Sequence, residues 1–317
     1  MMGRRKSWVI AMLGNWAILE VLFRLNSGFA RFVADKLSRP AGQFLGSLAN
    51  ATPIPLAECA AVIGIAAGIL SLLRGLWRLI RMDVVPLLHG LGTAALATSA
   101  LLLSYAVLWS APLHAPLLDI PHFNATQKEV FEYCAELIVD ANRLCVAVAG
   151  LESAPLSAKA SRYPELMRAL SMGGVYVPWT GETIVSMVEP SIALPFIAAH
   201  ESAHAAGYAR EDEANFIAYQ RCMDMGLRGQ YSGTMFALYY TMETLHDTDE
   251  SSWSALLTRM SFRVHRDYYQ LNGLRTASAP PLMQWRDKAI AAFAGANAHS
   301  YGSVVNLLLS ARYDNII

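Results

Sequence analysis

The chain has 317 residues, of which 54% are hydrophobic and only 16% are charged, and its mean hydropathy is +0.31. Soluble domains carry about a quarter charged residues, so this composition argues against a fully soluble protein and favours one that has a lipid bilayer as a partner. The formal net charge is zero and no long basic stripe occurs, which argues against nucleic-acid binding. No pattern in the chain defines an oligomeric state.

Three apolar segments in the first third of the chain predict transmembrane helices: 8–24, 54–73 and 86–109. A helix that crosses the hydrocarbon core needs about 20 apolar residues. The second and third segments meet this requirement, with Glu58 and His89 as their only acidic or basic side chains. The first could instead belong to a cleaved signal peptide, but no small-x-small cleavage site follows it, which favours a retained helix.

The distribution of basic residues predicts the orientation in the membrane. One cluster precedes the first segment and another separates the second from the third: Arg4, Arg5, Lys6, Arg74, Arg78 and Arg81. In a three-span chain both clusters lie on one side, and an excess of basic residues marks the cytoplasmic side. We therefore expect a membrane domain, 1–112, followed by a domain outside the cytoplasm, 113–317.

The second domain is predicted to be mainly helical. Helical periodicity covers 126–149, 157–171, 193–206, 210–226, 232–246, 252–272, 282–294 and 300–312, with Ser232, Ser252 and Ser300 as expected N-caps. One β-hairpin is predicted at 173–187, where β-branched and aromatic residues flank Thr180-Gly181-Glu182. The predicted fold class is mainly α, with N-terminal transmembrane helices followed by a helical domain that has one small β-hairpin.

Three cysteines lie in this domain: Cys134, Cys145 and Cys222. An oxidising compartment would permit one disulfide among them. They have no Cys-x-x-Cys spacing, and buried free thiols are the preferred interpretation.

The stretch AHESAHAAGYAREDEANFIAY, 199–219, contains the spacing His-Glu-x-x-His. His200 and His204 are four residues apart, so on a helix they lie on one face and can bind one zinc ion. Glu201 is turned about 100° away from His200 around the helix. It is therefore predicted to act as a general base on a water molecule without binding the metal.

A third metal ligand is expected from the acidic run that follows. If a new helix begins near Ala209, Glu211 and Asn215 share one face. Glu211 could then bind the metal while Asn215 holds the far nitrogen of a histidine. Glu213 shares a different face with Ile217 and is expected in solvent or in a salt bridge. The alternative is that all these acids simply complement the helix dipole.

Glu-x-x-Ala-Asn after His-Glu-x-x-His resembles the gluzincin arrangement, variants of which occur in membrane-bound CAAX-type proteases, thermolysin-like enzymes and phage-repressor-cleaving metallopeptidases. The resemblance implies that His200, His204 and Glu211 are the ligands of a zinc ion (Zn2+) and that Glu201 is the general base. Asn215 then stands where these families have an aspartate, which keeps an acceptor but loses its charge. The gap between His204 and Glu211 is short, so the connection must be a tight turn.

A wider resemblance covers nearly the whole chain. Five stretches occur in an order similar to that of an uncharacterised family of bacterial membrane proteins with an inferred zincin-like metallopeptidase domain: IPLAE, WTGET, HESAHAAGYAREDEANFIAY, YSG and SYGSVVNLLL. This resemblance implies a multi-pass location in a bacterial cell membrane. It implies a fold and a metal but no substrate.

Two further features are candidates for roles at the site. A zinc peptidase needs a donor for the developing oxyanion, and Tyr231 is preferred over Tyr208, His246, His265 and Arg266. The alternative for Tyr231 is an aromatic residue of the core. Segment 182–187 of the hairpin is expected beside the zinc helix, where it would either bind an extended substrate or simply cover the helices.

The expected function is that of a membrane-anchored zinc metallopeptidase acting on a peptide or protein substrate. One alternative is a non-catalytic zinc-binding membrane protein, such as a sensor or scaffold. Another is a membrane scaffold without metal, in which the histidine spacing is accidental. Glu201 favours the first hypothesis, because a purely structural zinc site needs no general base.

Overall fold

The structure is a computed structural model that describes residues 2–82, 84–118, 124–151, 158–276 and 301–313. The chain divides into two compact units. The first comprises Met1–Pro116 with Val177–Glu182, and the second comprises Leu117–Tyr176 with Thr183–Ile317. Apolar helices come first, and a small sheet lies among the later helices. The predicted fold class is confirmed.

The first unit is mainly helical. Its helices are α1 (Met2–Leu25), α2 (Ser27–Val33), α3 (Arg39–Ala49), α4 (Leu56–Ile80), α5 (Val84–Tyr105) and α6 (Ala111–Leu113), with π-helical turns at Ala34–Ser38 and Ala106–Ser110. Three stretches are long and apolar enough to cross a membrane: Arg5–Leu25, Leu56–Ile80 and Leu87–Leu113. Most of their side chains are exposed within the unit. So much exposed apolar surface requires apolar surroundings, which indicates a membrane protein.

The turn of the hairpin packs within the first unit. Glu182 is fully buried, and its carboxylate accepts hydrogen bonds from the backbone N–H groups of Leu56, at 2.9 Å, and Ala57, at 2.7 Å. These groups open α4, where Pro55 provides no side-chain cap. Gly181 has φ +67°, and a Cβ there would lie 2.3 Å from the backbone nitrogen of Gly46. Two stretches far apart in sequence, IPLAE and WTGET, therefore meet at the start of α4.

The second unit is built around one long helix. Its helices are α7 (Gln127–Ala147), α8 (Pro164–Ala169), α9 (Leu194–Ala205), α10 (Glu211–Asp224), α11 (Gly226–Thr248), α12 (Glu250–Leu257), α13 (Phe262–Thr276) and α14 (Tyr301–Tyr313). Helix α11 packs against α7, α9 and α10. Leu238, Met242 and Leu245 of α11 are fully buried in the core. The core thus positions α9 and α10 side by side.

Several predicted element boundaries were wrong. Helix α11 begins at Gly226, so Ser232 is no N-cap; its hydroxyl accepts the backbone N–H of Phe196 at 3.1 Å. Ser252 lies inside α12, whose N-cap is Asp249. The predicted helix 252–272 is two helices, α12 and α13. Segment 282–294 and Ser300 lie outside the described residues.

The sheet has three strands in the order β1-β3-β2, formed by β1 (Lys159–Ala160), β2 (Gly174–Val177) and β3 (Glu182–Val185). Strands β2 and β3 confirm the predicted hairpin. The short strand β1 runs parallel to β3, and it shortens the helix predicted at 157–171 to Pro164–Ala169. Within the described ranges β2 is an edge strand.

The cysteines of the second unit are free and buried. Burial raises the pKa of the Cys134 and Cys222 thiols, the latter to about 12. The predicted buried free thiols are confirmed.

Candidate metal centre

A glycine turn joins α9 to α10. Gly207 has φ +99°, a backbone conformation that favours glycine. The backbone N–H of Gly207 donates to the carbonyl of His204 at 2.9 Å, and that of Tyr208 donates to the carbonyl of Ala203 at 3.1 Å. This pair of bonds is the Schellman motif, which ends a helix abruptly. Helix α10 can therefore begin at Glu211, only six positions after the end of α9.

The turn brings Glu211 against both histidines. Oε2 of Glu211 lies 3.3 Å from Nε2 of His200, and Oε1 lies 3.6 Å from Nε2 of His204. The possible ligand atoms of His200, His204 and Glu211 all lie within 4.8 Å of one another, and they form the group found among the described residues that could hold a metal ion. Tetrahedral zinc with bonds of about 2.1 Å separates its ligand atoms by roughly 3.4 Å. The donor set and spacing fit a zinc ion.

The backbone orients His204. Its side chain is 6% exposed, and Nδ1 lies 2.7 Å from the carbonyl oxygen of Tyr208. A carbonyl can only accept, so Nδ1 carries the proton and Nε2 is directed towards Glu211. Metal-bound histidines are commonly held in this way by an acceptor on the far nitrogen.

The charges of the three side chains are coupled. Burial alone would lower the pKa of His204, but the hydrogen bond and the charge of Glu211 outweigh burial and raise that pKa to about 9. Burial would raise the pKa of Glu211, but hydrogen bonds with His200 and His204 hold it well below its usual range. Without a metal, these opposite shifts favour an ionised carboxylate on Glu211 and a protonated imidazole on His204. The same carboxylate charge would attract a cation.

Glu201 lies beside the edge strand β2. It is 6% exposed, and its carboxylate accepts the backbone N–H of Tyr176. A Cβ on Gly174 would lie 2.6 Å from Cγ of Glu201, so only glycine allows this approach. Burial raises the pKa of Glu201, while positive charge on His200 and His204 lowers it. The backbone of β2, and not the group of His200, His204 and Glu211, therefore holds the carboxylate of Glu201 near these candidate metal ligands.

Sequence reasoning missed this contact. Segment 182–187 was the predicted neighbour of the zinc helix, whereas the strand that approaches Glu201 is β2, whose first residue, Gly174, permits the close packing. A Cβ on Gly173 would lie 2.8 Å from Cδ1 of Ile197 in α9. The Gly-Gly pair that opens the predicted hairpin is the signal that could have revealed it, since glycine in a strand marks close backbone approach.

The hydrogen bond predicted between Asn215 and a histidine was wrong. Oδ1 of Asn215 accepts the hydroxyl of Tyr240 at 3.2 Å. The turn supplies the carbonyl of Tyr208 to His204 instead, and Nδ1 of His200 has no hydrogen-bond partner among the described residues.

Tyr231 is not brought to the histidines. Its hydroxyl donates to the fully buried Asp267 at 2.7 Å, and the tyrosine is 2% exposed in the core. Tyr231 and Tyr240 are nine positions apart in α11, so their side chains point about 180° apart. The side that carries Tyr240 faces Phe196, next to His200. The prediction of Tyr231 as an oxyanion donor gives way to its alternative, a core aromatic residue with a bonded hydroxyl.

The other acids and the other candidate oxyanion donors contact residues outside the group of His200, His204 and Glu211. Glu213 is 4% exposed and accepts the backbone N–H groups of Leu117 and Leu118, at 2.8 and 3.1 Å. This corrects its predicted place in solvent or in a salt bridge. Asp212 pairs with Arg210 at 2.8 Å. His246, His265 and Arg266 contact Trp253, Tyr269 and Asp267 respectively.

Comparison with known proteins identifies a family. The family described as "Protein of unknown function (DUF3810)" matches residues 146–309, just over half of the chain, and this range includes His200, Glu201, His204 and Glu211. No curated protein and no solved structure matches the chain significantly. The match confirms the resemblance to an uncharacterised family, and it assigns neither a metal nor an activity. The chain belongs to the DUF3810 family of proteins of unknown function.

Proposed function

We propose that this protein is a membrane-anchored zinc metallopeptidase that hydrolyses peptide bonds in a peptide or protein substrate. The observation that carries the proposal is the position of Glu201. Its carboxylate lies beside His200, His204 and Glu211 but is held by the backbone of Tyr176. A structural zinc site needs only the ligands, whereas a peptidase also needs a base that does not bind the metal.

The residues around the site suit this reaction. A bound zinc ion would act as a Lewis acid on the scissile carbonyl and lower the pKa of water. Glu201 would accept the proton of the attacking water and deliver it to the leaving amine. The carbonyl of Gly173 accepts the N–H of Ser186, the residue that follows β3. The alternation of an antiparallel ladder therefore turns the backbone groups of Gly174 and Tyr176 away from β3, to the edge where Glu201 accepts the N–H of Tyr176. An extended peptide could bond to the backbone groups of that edge other than the N–H of Tyr176.

The location proposed for the protein is a bacterial cell membrane, which it crosses with its three apolar helices. Residues 113–317 would then lie outside the cytoplasm, because the basic clusters lie before the first span and between the second and third. Substrates would accordingly be peptides or proteins of the cell envelope.

The central test is the Glu201→Gln variant of the full-length protein. Gln keeps the shape of the side chain and its bond to Tyr176 but cannot take up a proton, so we expect about one zinc per chain and a loss of turnover of at least roughly 100-fold. Zinc would be measured by elemental analysis and turnover by comparing envelope peptides of cells that carry either form. His246→Ala, which removes an exposed histidine, is the control for both readouts.

Two outcomes would separate the alternatives. Zinc in the wild type with identical peptide patterns for wild type and Glu201→Gln would favour the non-catalytic sensor or scaffold. Zinc absent after zinc-replete purification would exclude the metallopeptidase altogether.

A further inference from the structure

A cavity lies in the first unit between the N-terminal parts of α1 and α5. Its volume is about 230 Å³, and its apolar walls are Val9, Ile10, Leu88, Gly92 and Ala95. Gly92 provides much of the room, because a Cβ built on it would meet no atom within 4 Å. Ile10 is 72% exposed and Leu88 is 44% exposed, so the walls form a groove on the surface of two apolar helices.

The mouth of this cavity is basic. Its remaining lining residues are Arg5, Lys6 and His89. Nη1 of Arg5 donates to the hydroxyl of Thr93 at 3.0 Å, which holds the guanidinium across from α1 to α5. Nδ1 of His89 bonds to the carbonyl of Val85 at 2.9 Å, so Nε2 is the ring atom that can face a ligand.

No acidic side chain compensates this charge in the lining of the cavity. Among the side chains that the structure describes, neither Arg5 nor Lys6 forms an ion pair. The acid nearest to His89 in sequence is Asp83, which lies outside the described residues. The positive-inside rule alone would explain a basic cluster at the cytoplasmic end of a span. That rule requires neither a groove nor a guanidinium that is hydrogen-bonded across it.

We propose that this cavity binds an anionic phospholipid of the surrounding bilayer. An acyl chain lies along the apolar walls, and the phosphate sits against Arg5, Lys6 and His89. The amphipathic character of the cavity decides the ligand class, because a free phosphate would use only the basic mouth and a neutral lipid only the groove. Anionic lipids are abundant in the leaflet towards which basic residues face, and basic pockets between membrane helices bind their headgroups. The proposal concerns the first unit and does not depend on the zinc site.

Native mass spectrometry of the full-length protein in detergent tests the proposal, with phosphatidylglycerol and phosphatidylcholine as probes. We expect one phosphatidylglycerol to bind in preference to phosphatidylcholine. The double variant Arg5→Gln/Lys6→Gln should bind it about thirtyfold more weakly, since each basic side chain near an anionic lipid contributes roughly fivefold. The matched control is Arg74→Gln/Arg81→Gln, which removes two charges from the same end of the membrane helices but none from the cavity.

A second variant and a competitor make the result decisive. Gly92→Leu places its Cβ where no atom lies within 4 Å, so its side chain should occupy the groove and abolish the bound lipid while every basic residue remains. Inorganic phosphate at millimolar concentration should not displace the lipid. If the two double variants lost phosphatidylglycerol binding equally, diffuse surface charge would explain the binding, and the proposal would be overturned. Unchanged binding by Gly92→Leu, or full displacement by phosphate, would also overturn it.

Discussion

At the scale of single residues, three consecutive acids at the start of α10 have three different environments. Glu211 faces His200 and His204, Asp212 pairs with Arg210 at the surface, and Glu213 is buried on backbone N–H groups. All three complement the positive end of the helix dipole, so charge alone cannot distinguish them. Their directions around the helix, about 100° apart, assign each to its partner.

The first prediction compares these acids. Glu211→Ala should weaken zinc binding by more than the roughly 10- to 100-fold that loss of an outer hydrogen-bond partner costs. Asp212→Ala should leave zinc affinity unchanged. Competition with a chelator of known affinity measures both, and equal affinities in the two variants would remove Glu211 from the site.

Glu213→Ala should act on stability and not on the metal. It leaves the N–H groups of Leu117 and Leu118 without their acceptor, which should lower the free energy of unfolding by about 2 kcal/mol. Folded Glu213→Ala protein should still bind zinc as the wild type does. Thermal unfolding checks the first expectation, and chelator competition checks the second.

At the scale of elements, the turn after α9 determines the geometry of the site. Gly207 ends the helix, places the carbonyl of Tyr208 on His204 and returns the chain to Glu211. A residue with a Cβ pays about 1–2 kcal/mol in the left-handed region. Relief of that strain would move the carbonyl and the first turn of α10 together.

We therefore expect Gly207→Ala to weaken zinc retention by roughly tenfold, as loss of a histidine's outer partner does. Gly226→Ala is the matched control, because Gly226 has φ +72° and a Cβ there meets nothing within 4 Å. It should carry a similar backbone strain without affecting zinc. If both variants lost zinc equally, general destabilisation and not the turn would be the cause.

At the scale of the whole molecule, the hairpin belongs to both units. Its turn, Val177–Glu182, packs within the first unit, while Tyr176 and Thr183 onwards belong to the second. The turn supplies the cap that α4 lacks, because Glu182 accepts two backbone N–H groups at the start of that apolar helix. A negative side chain at a helix N-terminus also complements the helix dipole.

Glu182→Ala should therefore destabilise the first unit by about 3 kcal/mol, because two N–H groups lose a charged acceptor. Glu182→Gln keeps one acceptor oxygen and should fall between the wild type and Glu182→Ala. Thermal unfolding of the full-length protein in detergent measures the order of the three forms. A melting temperature for Glu182→Ala equal to that of the wild type would refute the capping role.

The sequence by itself determined what depends on neighbours along the chain. Hydropathy identified three apolar helices, the four-residue spacing placed His200 and His204 on one face, and Gly207 marked the turn that makes Glu211 available. Each of these features follows from hydropathy, periodicity or backbone freedom within a stretch of at most about 20 residues. The fold class and the hairpin were predictable for the same reason.

Only the tertiary structure decided which distant groups meet. Hydrogen bonds show this. Strand β2 bonds to Glu201, and Glu182 bonds to the start of α4. Tyr231 bonds to Asp267, and Asn215 bonds to Tyr240. A polar side chain has several acceptable partners by chemistry alone, and burial then requires that one of them be within reach. Which one is within reach depends on how the elements of each unit pack, and that packing is not encoded in any single stretch of the chain.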